Sequence, residues 1–353
     1  MGKLTALLDA PLKRKVLLAI FLAGMLAGAV LLALLSPVQW FGASEPQRVT
    51  IAAGSSARAI AQQLAEVGLI RSQTAFHLLS RLQQASGALQ AGVYEMSPNE
   101  STLRLIQRLS RGDTLDLAVT VTIPEGYTVK QIARTLADKS IVEYDAFLEY
   151  LRQAPLPYDW LNTATAHLEP ERRFEGYLFP DTYQFLPGSQ PAEVVAAMTS
   201  RFRQVMESLL PAEVLAGEPA AALPQPLTLD QIVTLASIVE REAVVDQERP
   251  IIAGVFYNRL NIKQALQSCA TVQYILEKVK PVLSTQDTQI ESPYNTYKYP
   301  GLPPGPIAAP GLPSLQAVVE PAETDYYYFR AKEDGSGTHI FSRTLAEHNR
   351  AGR

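Results

Sequence analysis

The sequence predicts an α+β protein: one N-terminal transmembrane helix, small strand–turn–helix modules, then a larger mixed α+β domain. Three observations predict it. Val16–Leu35 is 20 residues without a charge. Val49–Ile70 and Val121–Val142 repeat one pattern at a constant offset of 72 residues. Beyond Thr228, an apolar helical pattern is followed by a loop dense in proline, glycine, tyrosine and asparagine.

At about 1.5 Å rise per residue the uncharged run spans about 30 Å, the thickness of a hydrocarbon core. Lys3, Lys13, Arg14 and Lys15 precede it, against a single acid, Asp9. Positive residues stay in the cytoplasm, so residues 1–15 are expected as a cytoplasmic tail and 16–35 as a single-pass helix of the plasma (inner) membrane. The bulk of the chain is then extracytoplasmic. Trp40 and Phe41 follow where aromatic side chains suit the interface. Ala27-Gly28-Ala29 has the form of a signal-cleavage site but lies inside the apolar run, so an uncleaved anchor is expected.

Composition narrows the function. The 353 residues carry a formal charge of −4 and no long basic run, which argues against nucleic acid as a partner. One cysteine, Cys269, excludes an intramolecular disulfide and cysteine-rich metal sites. The four histidines show no HExxH spacing. No metal and no cofactor are expected.

In the repeat, Val49, Ile51, Gly54, Ile60, Ala61, Leu64 and Ala65 match Val121, Ile123, Gly126, Ile132, Ala133, Leu136 and Ala137. Each copy reads as a short alternating strand, a glycine turn and a helix. Ser55 or Ser56 in the first copy and Thr128 in the second are cap candidates. Leu89–Met96 and Leu115–Ile123 read as strands, and Ser101–Ser110 as a helix with Leu103, Ile106 and Leu109 inward. The copies resemble LysM modules, small units that bind N-acetylglucosamine-containing glycans. Glu143–Gln153 reads as a helix stopping before Pro155. Glu175–Phe185 is a proline-broken aromatic segment, Pro191–Leu210 a helix, and 216–226 a loop.

Thr228-Leu229-Asp230-Gln231 has the capping-box pattern and opens a helix with Ile232, Leu235, Ala236, Val239 and Ala243 on one side. Glu240 and Glu242 end it. Two residues advance about 200° around a helix, so the two carboxylates point to roughly opposite sides. Glu242 lies on the edge of the apolar face, and a carboxyl group bordered by apolar residues resists ionisation, as a general acid must. Glu240 borders Ala236, Ser237 and Val244, a smaller and more polar surround. The alternative is that both glutamates are solvated or paired with Arg241 or Arg249. Ser292–Gly311, too rich in proline and glycine for a helix, offers aromatic and amide groups of the kind that line sugar grooves. The residues that close the chain, 326–330 and 338–341, read as a hairpin around Asp334-Gly335-Ser336-Gly337.

TLASIVEREA, GVFYNRL, ALQSCATVQY, SPYNTYKYPGLPPGPIAAPG and GTHIFSRTLAEHN, in this order, together with EGYLFPDTY, resemble the endolytic murein transglycosylase family (MltG, or YceG-like) over nearly the whole chain. The resemblance implies cleavage within peptidoglycan glycan strands at the β-1,4 bond between N-acetylmuramic acid and N-acetylglucosamine, leaving 1,6-anhydro ends. It places the catalytic acid, the second glutamate of an SI-x-E-x-E segment, on Glu242. One carboxyl group suffices, because the muramyl C6 hydroxyl replaces water. Tyr294, Asn295 and Tyr297, with Gln267 and Arg259, are the candidate substrate contacts. Many members carry an aspartate-proline-threonine run after the leucine-glutamine pair; here Ser268 is followed by Cys269-Ala270-Thr271, so no carboxylate role is expected there. Peptidoglycan and the membrane are the expected partners, and the family's link to cell-wall synthases adds a third. The rivals are a hydrolytic muramidase with a second carboxylate, Glu240 or Glu175, and a non-catalytic glycan-binding scaffold. The expected domains are 47–118, the first LysM-like module; 119–169, the second repeat; and 170–353, the catalytic domain.

Overall fold

The computed structural model describes residues 10–41, 45–52, 54–115, 117–280 and 282–351. Lys3 and Asp9, on which the expected tail partly rests, lie outside them. Helix α1, Ala10–Leu35, contains a stretch, Arg14–Leu35, long and apolar enough to cross a membrane. Its Leu17, Phe21 and Leu32 side chains are not covered by protein.

The chain forms two compact units that divide between residues 116 and 117, with α1 part of the first. Beyond α1 the first is built from β1 (Gln47–Ile51), α2 (Ala57–Glu66), α3 (Gln73–Leu82), β2 (Gly92–Met96) and α4 (Thr102–Arg111). β1 and β2 pair antiparallel with Val49 opposite Tyr94, which sends alternate residues of both strands into one core. Ile60, Leu64, Phe76, Leu105, Ile106 and Leu109 complete that core from one face of each helix. Ser56, Ser72 and Ser101 cap the three helices, each hydroxyl accepting a backbone N–H of the first turn.

The second unit, Leu117–Arg353, starts with the second copy of the repeat. Its elements are β3 (Val119–Thr122), α5 (Val129–Asp138), α6 (Tyr144–Gln153), α7 (Asp159–Ala164) and β4 (Thr182–Phe185). α2 and α5 start and stop at positions 72 residues apart, as the repeat predicts. Gly54 and Gly126 turn the chain into them at φ +78° and +75°. The strand that closes this copy pairs Val119 with Phe185 and lies beyond residue 169. The proposed limit at 169/170 therefore falls inside a paired motif, and residues 119–169 share one core with the helices C-terminal to β4. The physical reason is an insertion between α6 and β4 whose Leu161, Phe174, Tyr177 and Leu178 are themselves buried in that core.

The rest of this unit comprises α8 (Pro191–Leu209), α9 (Ala212–Leu215), α10 (Leu229–Glu242), α11 (Arg249–Asn261), α12 (Cys269–Leu276), α13 (Leu312–Val319), the hairpin β5 (Tyr328–Ala331)–β6 (His339–Ser342) and α14 (Leu345–Ala351). α10 is its central rod: every residue from Ile232 to Val239 is buried. A helix apolar all round belongs in a core. The loop 292–311 folds onto it, and the Ile307 N–H donates to the Ser237 hydroxyl (3.0 Å). The turn after β3 joins the same loop through Gly126 N–H to Ala309 O and Ala309 N–H to Tyr127 O, both 2.8 Å. The loop's backbone is thus satisfied by α10 and by the repeat turn rather than by its own secondary structure.

Candidate active site

The buried rod α10 ends at Glu242, and its last turn releases the two glutamates in different directions. Glu240 turns into the protein. Its side chain is 6% exposed, forms a 3.2 Å ion pair with Arg249 and accepts the Gly311 N–H at 2.9 Å. Arg249 is held in turn by Asp246 (3.0 Å) and the Ser314 hydroxyl (2.5 Å). The sequence placed Glu240 in the smaller, more polar surround; in the fold it is locked in a buried pair, because the 292–311 loop and the first turn of α11 close over that side.

Glu242 turns towards α12 and remains partly exposed. Its Oε1 accepts the Ser268 hydroxyl and the Ala270 N–H (3.4 Å). Both donors belong to the start of α12, where the first N–H groups lack helical partners. Among the described residues no hydrogen bond falls on Oε2. One oxygen is thus held by two donors and the other by none among the described residues.

The 292–311 loop sets the start of α12. Thr296, buried, accepts the Gln267 N–H on its carbonyl (3.0 Å) and the Ser268 N–H on its hydroxyl (3.0 Å). Thr271 bonds both Thr296 (2.9 Å) and the Ser268 carbonyl (2.9 Å). Ser268, Thr271 and Thr296 were not singled out from sequence. The legible signal was a serine ahead of the helix-compatible run CATVQYIL, an N-cap position.

The five expected substrate contacts separate. Gln267 is exposed, one residue before Ser268, in a left-handed backbone at φ +50°. Tyr297 is half-buried with its hydroxyl 3.0 Å from Cys269 Sγ. Burial is the main cause that raises both the Tyr297 and the Cys269 pKa. The charge of Glu242 also contributes to raising both. Asn295 is fully buried, donates to the Thr288 and Ile290 carbonyls (3.1 and 2.8 Å) and accepts the Tyr297 N–H (3.0 Å). Its amide is spent on the loop, so the sugar contact expected of it is not available. Tyr294 is buried too, with its ring centroid 5.3 Å from that of Tyr274, and desolvation pushes its hydroxyl up to about 12. Arg259 is buried and donates to the carbonyls of Tyr327 (2.6 Å), Ala265 (3.2 Å) and Leu266 (2.7 Å). It braces the segment before Gln267 instead of facing a ligand, and burial lowers its pKa.

Near the end of α10 opens a cleft of about 810 Å³, and Glu242 itself is not among the residues that line it. Arg241 and Ala270, the neighbours of Glu242 in sequence and in space, line it together with α5 and α12. Tyr127, Tyr144 and Tyr274 supply aromatic surface, and Gln131 and Gln273 supply amides. Glu175 also lines the cleft; burial is the main cause that pushes its carboxyl up to about 7.

The profile of the YceG-like family matches residues 49–353. A protein of Bacillus subtilis (strain 168) named endolytic murein transglycosylase is 35% identical over 313 residues, 86% of this chain and 83% of that protein. A protein of the same name from Streptococcus pneumoniae serotype 2 is 30% identical, and the match covers 91% of this chain but 63% of the pneumococcal protein. A crystal structure of a YceG-like protein from Listeria monocytogenes superposes with a TM-score of 0.55 at 30% identity, covering 87% of this chain and 99% of that one.

Proposed function

The chain belongs to the YceG-like family, and from that premise we propose a reaction and the residues that perform it. The protein is a lytic transglycosylase that cuts peptidoglycan glycan strands internally. The bond cleaved is the β-1,4 link from N-acetylmuramic acid to N-acetylglucosamine. Glu242 is the single acid and base. The observation that carries this assignment is its divided carboxylate: Oε1 is held by Ser268 and Ala270, no protein donor among the described residues reaches Oε2, and the neighbouring Arg241 and Ala270 line the cleft.

Oε2 protonates the glycosidic oxygen as the bond to the muramyl C1 breaks. The same carboxylate then takes the proton of the muramyl C6 hydroxyl, whose oxygen closes on C1 to give the 1,6-anhydro end. No water enters, so no second carboxylate has to hold one. The cleft seats the strand: apolar sugar faces stack on Tyr127, Tyr144 and Tyr274, and Gln131 and Gln273 meet N-acetyl groups. Gln267 and Tyr297 contact the sugar next to Glu242. Asn295, Tyr294 and Arg259 serve by holding the loop and the start of α12.

A muramidase with a second carboxylate is less well supported, because Glu240 is paired with Arg249 and Glu175 is bound on both oxygens. We place the N-terminus in the cytoplasm and the bulk of the chain outside it, on the basic residues Lys3, Lys13, Arg14 and Lys15 that precede the uncharged run from Val16. We also assign the first unit, with its strand–helix–helix–strand order, a LysM-like glycan contact, and cell-wall synthases as partners on the resemblance alone.

The test is digestion of purified sacculi with mass spectrometry of the products. Wild-type protein releases anhydro-muropeptides. Glu242→Gln, folded by circular dichroism, loses roughly 10²–10⁴-fold in rate, towards the upper end because one group acts twice. Near wild-type release by Glu242→Gln, or reducing ends in place of anhydro ends, would sink the reading.

A further inference from the structure

Glu175 is a buried acid that the reaction above does not use. It is 4% exposed, within a segment whose Phe174, Tyr177 and Leu178 have no exposed surface. Gly176 follows at φ +84°, and a Cβ there would stand 2.8 Å from both Pro306 and Val233, so the segment is seated against the loop and α10 with no slack. Desolvation of an acid is costly, and the groups around it only partly oppose that cost: the Val129 N–H, the Tyr274 hydroxyl and the charges of Arg172 and Lys130.

The carboxylate joins two elements. Oε1 accepts the N–H of Val129 (2.9 Å), the first residue of α5. That N–H is among those with no helical partner, and Val129 is itself buried, so the bond replaces water that cannot reach it. Oε2 accepts the hydroxyl of Tyr274 (3.2 Å) in α12. The Tyr274 ring is packed on its other sides by Tyr294 and by Arg172, whose guanidinium carbon lies 5.2 Å from its centroid. α5 and α12 both line the cleft. α12 is one short helix: Tyr274, near its end, is six positions from Ser268, roughly 9 Å along the axis. A shift of Tyr274 therefore moves the Ser268 hydroxyl and the Ala270 N–H as one body.

We propose that Glu175 is a positioning residue for the transglycosylase reaction: by tying Tyr274 to the start of α5 it fixes the helix whose first turn holds Glu242. The proposal rests on the reading of Glu242 as the acid. It assigns Glu175 no contact with the substrate and no proton transfer. Its effect falls on the orientation of a reacting group, where a displacement of about 1 Å costs on the order of 10²-fold.

The experiment measures kcat and KM of the full-length protein on solubilised glycan strands, normalised to the folded fraction by circular dichroism, for Glu175→Ala, Glu175→Gln, Tyr274→Phe and Glu242→Gln. Glu175→Ala is expected to lower kcat roughly 10–100-fold with KM within about threefold. Glu175→Gln accepts from Val129 with its carbonyl and donates to Tyr274 with its amide, so it recovers most of kcat. Tyr274→Phe keeps the ring packing and removes only the tie to α12. Its kcat falls in the same direction, and the products of all three remain anhydro. The tyrosine variant keeps the test decisive if Glu175→Ala fails to fold. Unchanged kcat in Tyr274→Phe overturns the proposal. So does a Glu175→Gln as inactive as Glu175→Ala, which would make Glu175 a proton carrier. Glu242→Gln separates the two readings: if it is active, the acid is misassigned; if it is inactive while Tyr274→Phe is normal, only the positioning role fails.

Discussion

Glu240 and Glu242 show how far one side chain's role depends on its neighbours in space. They stand two positions apart on one helix, and the rotation between them predicts opposite directions from the sequence alone. Pairing with Arg249 is one of the alternatives the sequence offers, and Glu240 takes it; Gly311 and Ser268 are not legible, because they reach the glutamates from other elements. The same limit hid the inward turn of Asn295 and Tyr294: an amide and a phenol in a proline-rich loop read as ligand groups until burial is known. Glu240→Gln removes the buried one of the two carboxylates paired with Arg249 and leaves Asp246; breaking a buried pair costs roughly 3–5 kcal/mol. Because the amide keeps the Gly311 bond, we expect the lower end of that range in chemical denaturation. Activity per folded molecule should stay within about tenfold of wild type. Loss of activity without loss of stability would count against the structural role. Glu175 gives a pH signature. Burial raises its carboxyl from 4.5 to about 7, so the folded chain keeps a proton that the unfolded chain releases between those values. The stability contributed by the neutral form is complete below about pH 4.5 and is lost as pH rises through about 7, for about 3 kcal/mol in all. Between pH 5 and pH 8 the melting temperature of the wild type should fall by roughly 5–10 °C relative to Glu175→Gln, which cannot titrate. Parallel curves for the two proteins would remove Glu175 from the pH dependence of folding.

Elements built from local signals were the ones most readable in the chain. The repeat predicts the helices that form as α2 and α5, and of the cap candidates Ser56 and Thr128 accept the capping hydrogen bonds. The capping box at Thr228 opens α10, and the closing hairpin forms around Asp334–Gly337. β4 was hidden because its partner β3 lies about 60 residues back, and an aromatic segment with a proline gives no alternation to read. α12 was hidden because eight residues with neither acid nor base in them carry little helical phase. The segment Glu175–Gly176 tests how tightly such non-local elements are held. Gly176→Ala adds a methyl group 2.8 Å from Pro306 and Val233, at a backbone angle that L-residues avoid. Strain alone is worth roughly 1–3 kcal/mol, and the contacts are to a proline ring and a β-branched side chain that cannot swing aside. The expected result is a loss of at least about 2 kcal/mol in urea unfolding. A change below about 0.5 kcal/mol would mean that the segment can back away from the loop, and that Glu175 is not rigidly placed.

At the scale of the whole molecule the apolar N-terminal helix and the candidate site lie on different parts of the chain. α1 carries the apolar length for a membrane and no group of the candidate site. The first unit has its own core from Val49 to Leu109, with no charged side chain among its members. The second has a larger one that runs from Val121 to Val318 and contains α10. Glu242, Ser268, Gln267, Tyr297 and the cleft all belong to the second unit. This partition is only half readable: the 72-residue repeat marks where a second copy starts, but nothing local to it shows that this copy is built into the larger core. A chain beginning at Leu117 keeps β3, and with it the partner of β4 and the turn that bonds Ala309. We expect it to fold cooperatively and to release anhydro-muropeptides from solubilised strands at a kcat within about tenfold of the full-length protein, since every group assigned to proton transfer is present. A chain beginning at Pro170 lacks β3, Gly126 and α5, so β4 loses its partner and Glu175 loses Val129. It should be unfolded or inactive. If the Leu117 chain folds and is inactive, the first unit contributes to catalysis itself; if the Pro170 chain is active, the second copy of the repeat is dispensable, and the cleft wall formed by α5 has no part in seating the strand.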